Sequence, residues 1–151
     1  MKISETWLKQ YFPNLNLSAE EIGHQLTMAG LELDDLYKVA PDFSGVVIGE
    51  VLSCNQHPDA DKLKVTTVNI GTETLQIVCG APNVRVGLKV AVATVGAILP
   101  PIDGKPFTIK KGKLRGIESF GMLCGASELG LPDEIDGLLE LDDDAPIGTN
   151  L

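Results

Sequence analysis

The chain has 151 residues, a formal net charge of −9, Gly 16, Pro 9 and 5% aromatic residues. That length allows one ordinary domain or a domain with an appendage, and the turn-rich, aromatic-poor composition favours short strands over a helical bundle. The longest uncharged apolar run, "VAVATVGAILPPI" (Val90–Ile102), is too short and too proline-rich to cross a bilayer. The first residues carry no secretion signal, and an odd cysteine count fits reduced thiols in a cytoplasmic protein better than a disulfide framework.

The opening residues read as helical. "SETWLKQYF" sets Trp7, Leu8 and Tyr11 at helical spacing behind Ser4 as N-cap, with Pro13 as the stop. "LSAEEIGHQLTMAG" has capping-box spacing at Ser18 and Glu21 and a C-terminal Gly30. Ile22, Leu26 and Met28 are expected to face a core, with Gln25 opposite. A helix pair of this size cannot bury itself and needs something else to pack on. "LELDDLYKV" (Leu31–Val39) then alternates in polarity.

After Pro41-Asp42 the sequence becomes strand-rich. "GVVIGEVLSC" (Gly45–Cys54), "KLKVTTVNI" (Lys62–Ile70), "TLQIVC" (Thr74–Cys79) and "LKVAVATVG" (Leu88–Gly96) are β-branched runs of strand length. Turn residues bound them at His57-Pro58-Asp59, Gly71, Gly80–Asn83 and Pro100-Pro101. "FTIKKGKLRG" (Phe107–Gly116) reads as a further strand or extended arm and "GLLEL" (Gly137–Leu141) as a short last one. The pattern predicts a mainly β (α+β) chain: a helical segment over 1–40, then a five-stranded Greek-key OB-fold barrel over 41–151.

Charge is unevenly spread. Residues 1–44 hold seven acids and three bases, residues 45–115 five acids and nine bases, and residues 116–151 nine acids and no base. A polyanion is attracted by the middle third and repelled by the rest.

"HPDADKLKV" (His57–Val65), "QIVCGAPNVRVGLKVAVATVGAILP" (Gln76–Pro100) and "KLRGIESFGMLCGASELGL" (Lys113–Leu131) resemble the tRNA-binding OB domain shared by several aminoacyl-tRNA synthetases and free-standing tRNA-binding proteins. The flanks "MKISETWLKQYF", "MAGLELDDL" and "DDDAPIGTNL" look like the start of the bacterial phenylalanyl-tRNA synthetase β-subunit family. This resemblance implies a fragment of a much longer β subunit that pairs with a catalytic α subunit in a heterotetramer. It also implies ATP and Mg as cofactors of the parent enzyme, none of them held by this fragment, and tRNA as partner. In that family the opening helices belong to a domain completed by residues beyond the OB insert.

Lys110, Lys113 and Arg115 offer charge to phosphates from an extended segment, Ser119 a hydroxyl and Met122 a polarizable contact. A purely structural reading stands beside this one: Met122, Leu123 and Cys124 fill the core, and the lysines guard a sheet edge. The resemblance tilts Lys113, Arg115 and Ser119 toward RNA. Lys62 and Lys64 share a strand face by period two and border a phosphate track that Asn83 and Arg85 extend. Asp59 and Asp61 are explained by a turn in which Asp59 bonds its own backbone. Cys54-x-x-His57 with Cys79 and Cys124 has partial zinc-ligand spacing, but no second paired motif supports a metal site. The chain contains no phosphate-gripping, nucleophile-elbow or HExxH motif, so no catalytic residue is expected. The alternative to RNA binding is a structural or subunit-assembly insert.

Overall fold

The computed structural model describes residues 2–38, 41–102, 105–131 and 136–151. The chain divides into two compact units, Met1–Val39 and Ala40–Leu151. In the first, α1 (Glu5–Tyr11) starts where the Ser4 hydroxyl accepts from the Trp7 N–H, and α2 (Ala19–Met28) starts at a complete Ser18–Glu21 capping box. Gly23 is the buried position of α2 because Leu33 packs on it: a Cβ there would lie 2.6 Å from Leu33 Cδ2. Met28, expected to face a core, is 75% exposed. The alternating segment after Gly30 forms no strand among its described residues, and Leu31, Leu33, Leu36 and Tyr37 stay exposed. Alternation alone does not make a strand without a partner edge.

The second unit is built on antiparallel β1 (Ser44–His57), β2 (Ala60–Asn69), β3 (Thr74–Cys79) and β4 (Lys89–Ile102), in the order β3-β2-β1-β4. Further short strands follow: β5 (Lys105–Thr108), β6 (Gly112–Leu114), β7 (Ile117–Ser119), β8 (Gly121–Cys124) and β9 (Glu140–Leu141). One edge of β4 pairs with β1, and the other is shared in turn by β9, β8 and β5. β4 runs through Pro100 and Pro101, where the sequence suggests a turn. The reason is positional: its pairing with β1 ends at Ile98, so these prolines face no ladder on that side.

The pairings make β8 parallel to β3, and the barrel closes between them. Phe120 N–H donates to Gln76 O at 2.9 Å, Gln76 Nε2 to Glu118 O at 2.8 Å, and Val78 N–H to Ser119 Oγ at 3.1 Å. This is the OB-type barrel the strand pattern predicts, with β7–β8 as the closing fifth strand. At the joint Gly121 has φ +152, and a Cβ there would lie 2.7 Å from Ala93 O, so the close approach requires glycine.

Period-two alternation divides β4 between two cores. Val90 and Val92 turn inward with Val51, Val68, Ile77 and Leu123, while Ala91 and Ala93 face a second cluster with Val46, Leu99, Ile109, Cys124 and Leu129. Burial on both sides explains why β4 reads as a continuous apolar run. Thr66, wholly buried, satisfies its hydroxyl by donating to Ile77 O at 2.7 Å.

Candidate nucleic-acid interface

β6 and β7 form a separate two-stranded hairpin, with Leu114 opposite Ile117 and Lys113 opposite Glu118. Its two-residue loop is Arg115-Gly116, with φ of +43 and +92, as a type I′ turn demands. The hairpin is tethered at both ends. At its base Glu118 O accepts from Gln76 of β3, and near its tip the His57 ring lies 3.1 Å from Leu114 O. It therefore spans from β3 to the β1–β2 turn, across the side that OB folds generally offer to oligonucleotides. Val78, on the same outward side of β3 as Gln76, is accordingly only 9% exposed.

This segment carries Lys110, Lys111, Lys113 and Arg115 against one carboxylate, Glu118. Lys111 takes that carboxylate at 2.9 Å and also sits 4.6 Å from the Phe120 ring centroid. Lys110, Lys113 and Arg115 are exposed. Lys62 is exposed two residues beyond Ala60, the register partner of His57, and so lies beside the β1–β2 turn that holds the hairpin tip.

The remaining sequence-selected residues are used differently. Lys64 lies on the inward face that Thr66 and Val68 continue, is half-buried, and donates to Val84 O at 3.1 Å. Arg85 grips Glu140 with both terminal nitrogens, at 2.8 and 2.7 Å. Arg85 and Asn83 together hold the Glu140 carboxyl down to about 2. The Asn83 amide pins the C-terminal segment through Leu138 O, Leu138 N–H and Glu140. Ser119 is 3% exposed, accepts from Val78 N–H and donates to Gly121 O at 3.0 Å, so its hydroxyl serves barrel closure instead of facing solvent. Met122 is half-buried against the second core cluster. The expected cation track thus divides: Lys110, Lys113 and Arg115 stay exposed on one segment, while Arg85 is neutralised by the acidic C-terminal portion.

His57 plays a part the sequence reading missed. It is 2% exposed, and its Nδ1 accepts from Asp59 N–H at 3.0 Å. The turn is closed by the histidine ring, where a bond from the Asp59 side chain was expected. Nothing in the local sequence marks this role; only the long-range contact with Leu114 reveals it.

Two grooves flank the barrel. One of about 450 Å³ is lined by Gly80–Pro82, Met122, Leu138, Glu128 and Asp136, whose charges have the wrong sign for phosphate. The other, about 390 Å³, is lined by Glu73, Leu75, Thr94, Val95 and Phe120. Among the described residues no three His, Cys, Asp or Glu side chains gather as metal ligands.

A family model described as "Putative tRNA binding domain" matches residues 46–150. The chain belongs to this tRNA-binding domain family. The tRNA-binding domain and its helical lead are 68% identical to the phenylalanine–tRNA ligase beta subunit of Psychrobacter arcticus and 63% identical to that of Acinetobacter baylyi. Both matches cover 100% of this chain but only 19% and 18% of those proteins, so the chain spans about a fifth of the curated relatives it matches. Among solved structures, the C-terminal domain of Plasmodium vivax p43 superposes with a TM-score of 0.50 at 25% identity, covering 78% of this chain and 62% of that one. A MetRS-related protein from Pyrococcus horikoshii gives 0.51 at 21% identity, covering 78% and 98%, and supports the fold. No helix among the described residues is long and apolar enough to cross a membrane.

Proposed function

We propose that the barrel is the tRNA-binding module of a phenylalanine–tRNA ligase β subunit and that it holds tRNA through phosphates, with Lys62, Lys110, Lys113 and Arg115 as the contacts. The observation that carries this reading is the cationic segment 110–118, four bases against one acid, whose hairpin is anchored on the barrel side where OB folds meet nucleic acid. Base stacking has little support in the barrel, where Phe107 and the lysine-capped Phe120 are the aromatic residues outside the core. Attachment of phenylalanine with ATP and Mg, the α-subunit partner and the cytoplasmic setting belong to the parent enzyme on this reading. The role of this chain is to position RNA.

The test is fluorescence anisotropy of labelled tRNA at a series of salt concentrations. Four phosphate contacts give a slope of about −3 in log K against log salt, hence roughly a 60-fold loss between 50 and 200 mM; losing two contacts reduces this to roughly 8-fold. The Lys113→Ala/Arg115→Ala variant is expected to show the shallower slope. Identical slopes and affinities would remove the hairpin from the interface. Absence of saturable binding would instead favour an assembly insert, the reading that the Asn83–Arg85–Glu140 lock on the acidic segment supports.

A further inference from the structure

We propose that His57 is a positioning residue for RNA binding, acting by fixing the hairpin tip that presents Lys113 and Arg115. This rests on the phosphate-contact reading above. Nδ1 accepts a hydrogen bond from Asp59 N–H, so the ring proton resides on Nε2, which donates to Leu114 O. One buried neutral imidazole thereby closes the β1–β2 turn on one side and holds the β6–β7 hairpin on the other.

The hairpin needs such a hold. It has three residue pairs and forms a ribbon of its own, joined to β3 by hydrogen bonds at Glu118 and Ser119, and a two-stranded ribbon of that size is marginal alone. Gln76 ties its base, but the tip is a separate matter. Leu114 is the residue immediately before the turn, so its carbonyl is the last anchor point ahead of Arg115. Arg115 itself occupies a left-handed conformation that L residues with bulky side chains disfavour, where Asn or Gly is the favoured choice. Strain of this kind, kept at an exposed cation, fits a tip shaped for contact and held by its surroundings. Releasing the Leu114 anchor leaves the charges in place but returns their ordering cost to the binding step, an expected affinity loss of about 5- to 10-fold.

Two substitutions separate the halves of the imidazole. In His57→Gln the amide nitrogen reaches the Nε2 position and keeps the bond to Leu114 O while losing the Asp59 acceptor. In His57→Asn the side-chain oxygen takes the Nδ1 role toward Asp59 N–H and loses Leu114. Both are expected to lower stability, read by urea unfolding. The tRNA affinity is expected to fall about 5- to 10-fold in His57→Asn only, with faster amide exchange across residues 113–117, and to stay within about twofold in His57→Gln. Equal affinity loss in both variants, or none in His57→Asn, overturns the proposal. If Lys113→Ala/Arg115→Ala binds like the unsubstituted chain, the phosphate reading itself fails; if that variant is weak and His57→Asn is not, only the role of His57 fails. Nitrogen NMR of the imidazole in the unsubstituted chain gives a readout independent of variant folding. A protonated Nε2 with an acceptor Nδ1 supports the anchor, and the opposite tautomer refutes it.

Discussion

Replacing Ser119 with alanine separates a seam from a ligand contact. The Ser119 hydroxyl accepts from Val78 N–H and donates to Gly121 O, both within the joint that turns an open sheet into a barrel. Alanine leaves Val78 N–H without a partner in a place water does not reach, since Val78 is 9% and Ser119 3% exposed. An orphaned buried donor costs about 1–3 kcal/mol, and the lost donation to Gly121 O about 1 kcal/mol more where solvent cannot replace it. A total of about 2–4 kcal/mol is a large share of a domain stability of roughly 5–15 kcal/mol. At about 4 °C per kcal/mol for a domain of this size, the melting point falls by about 8–16 °C. Urea unfolding followed by circular dichroism measures the loss, and anisotropy on the folded variant measures tRNA affinity, which is expected to stay unchanged. A midpoint within about 0.5 kcal/mol of the parent defeats the seam argument. Affinity lost at unchanged stability would restore Ser119 as a direct RNA donor.

Arg115→Asn is expected to raise stability by about 1 kcal/mol, because asparagine tolerates the left-handed turn position, while weakening tRNA binding; calorimetry and anisotropy read the two effects. The Glu140 carboxyl, held down to about 2 by Arg85 and Asn83, contributes stability that is present above pH 4.5 and lost as pH falls toward 2. The stability difference between the parent and Glu140→Gln should therefore narrow across that interval in urea titrations. Burial pushes the Cys124 thiol up to about 12 and raises that of Cys79 as well, so native-state alkylation mapped by mass spectrometry should label half-buried Cys54 first. Rapid labelling of Cys124 in the folded chain would contradict the burial of the second core.

The strands were readable because β-branched runs bounded by turn residues carry their own signal: Thr74–Cys79 appears with the same bounds. β4 outran its expected end because pairing with β5 on one edge, and not proline content, decides where the strand stops. The candidate site was readable as composition but not as arrangement. Four cations gathered between 110 and 115 are visible in any sequence, whereas the capture of Arg85 by Glu140 joins positions 55 apart. Ser119 looked like a free hydroxyl in a glycine-spaced segment because the seam with Val78 exists only once topology brings β7 to β3. His57 looked like a turn residue for the same reason, its second partner lying 57 positions along the chain. Lys64 followed period two correctly, but the face it shares with Thr66 is the inner one.

The last residues run beside the first strand of the barrel: Gly148 N–H donates to Ile48 O, Ile48 N–H to Thr149 O, and Leu151 N–H to Val46 O at 3.1 Å. These bonds zip residues 148–151 onto the part of β1 that β2 leaves uncovered. Without them the Ile48 N–H and the Val46 and Ile48 carbonyls lose their partners, and the first strand of the barrel gains an open, adhesive margin.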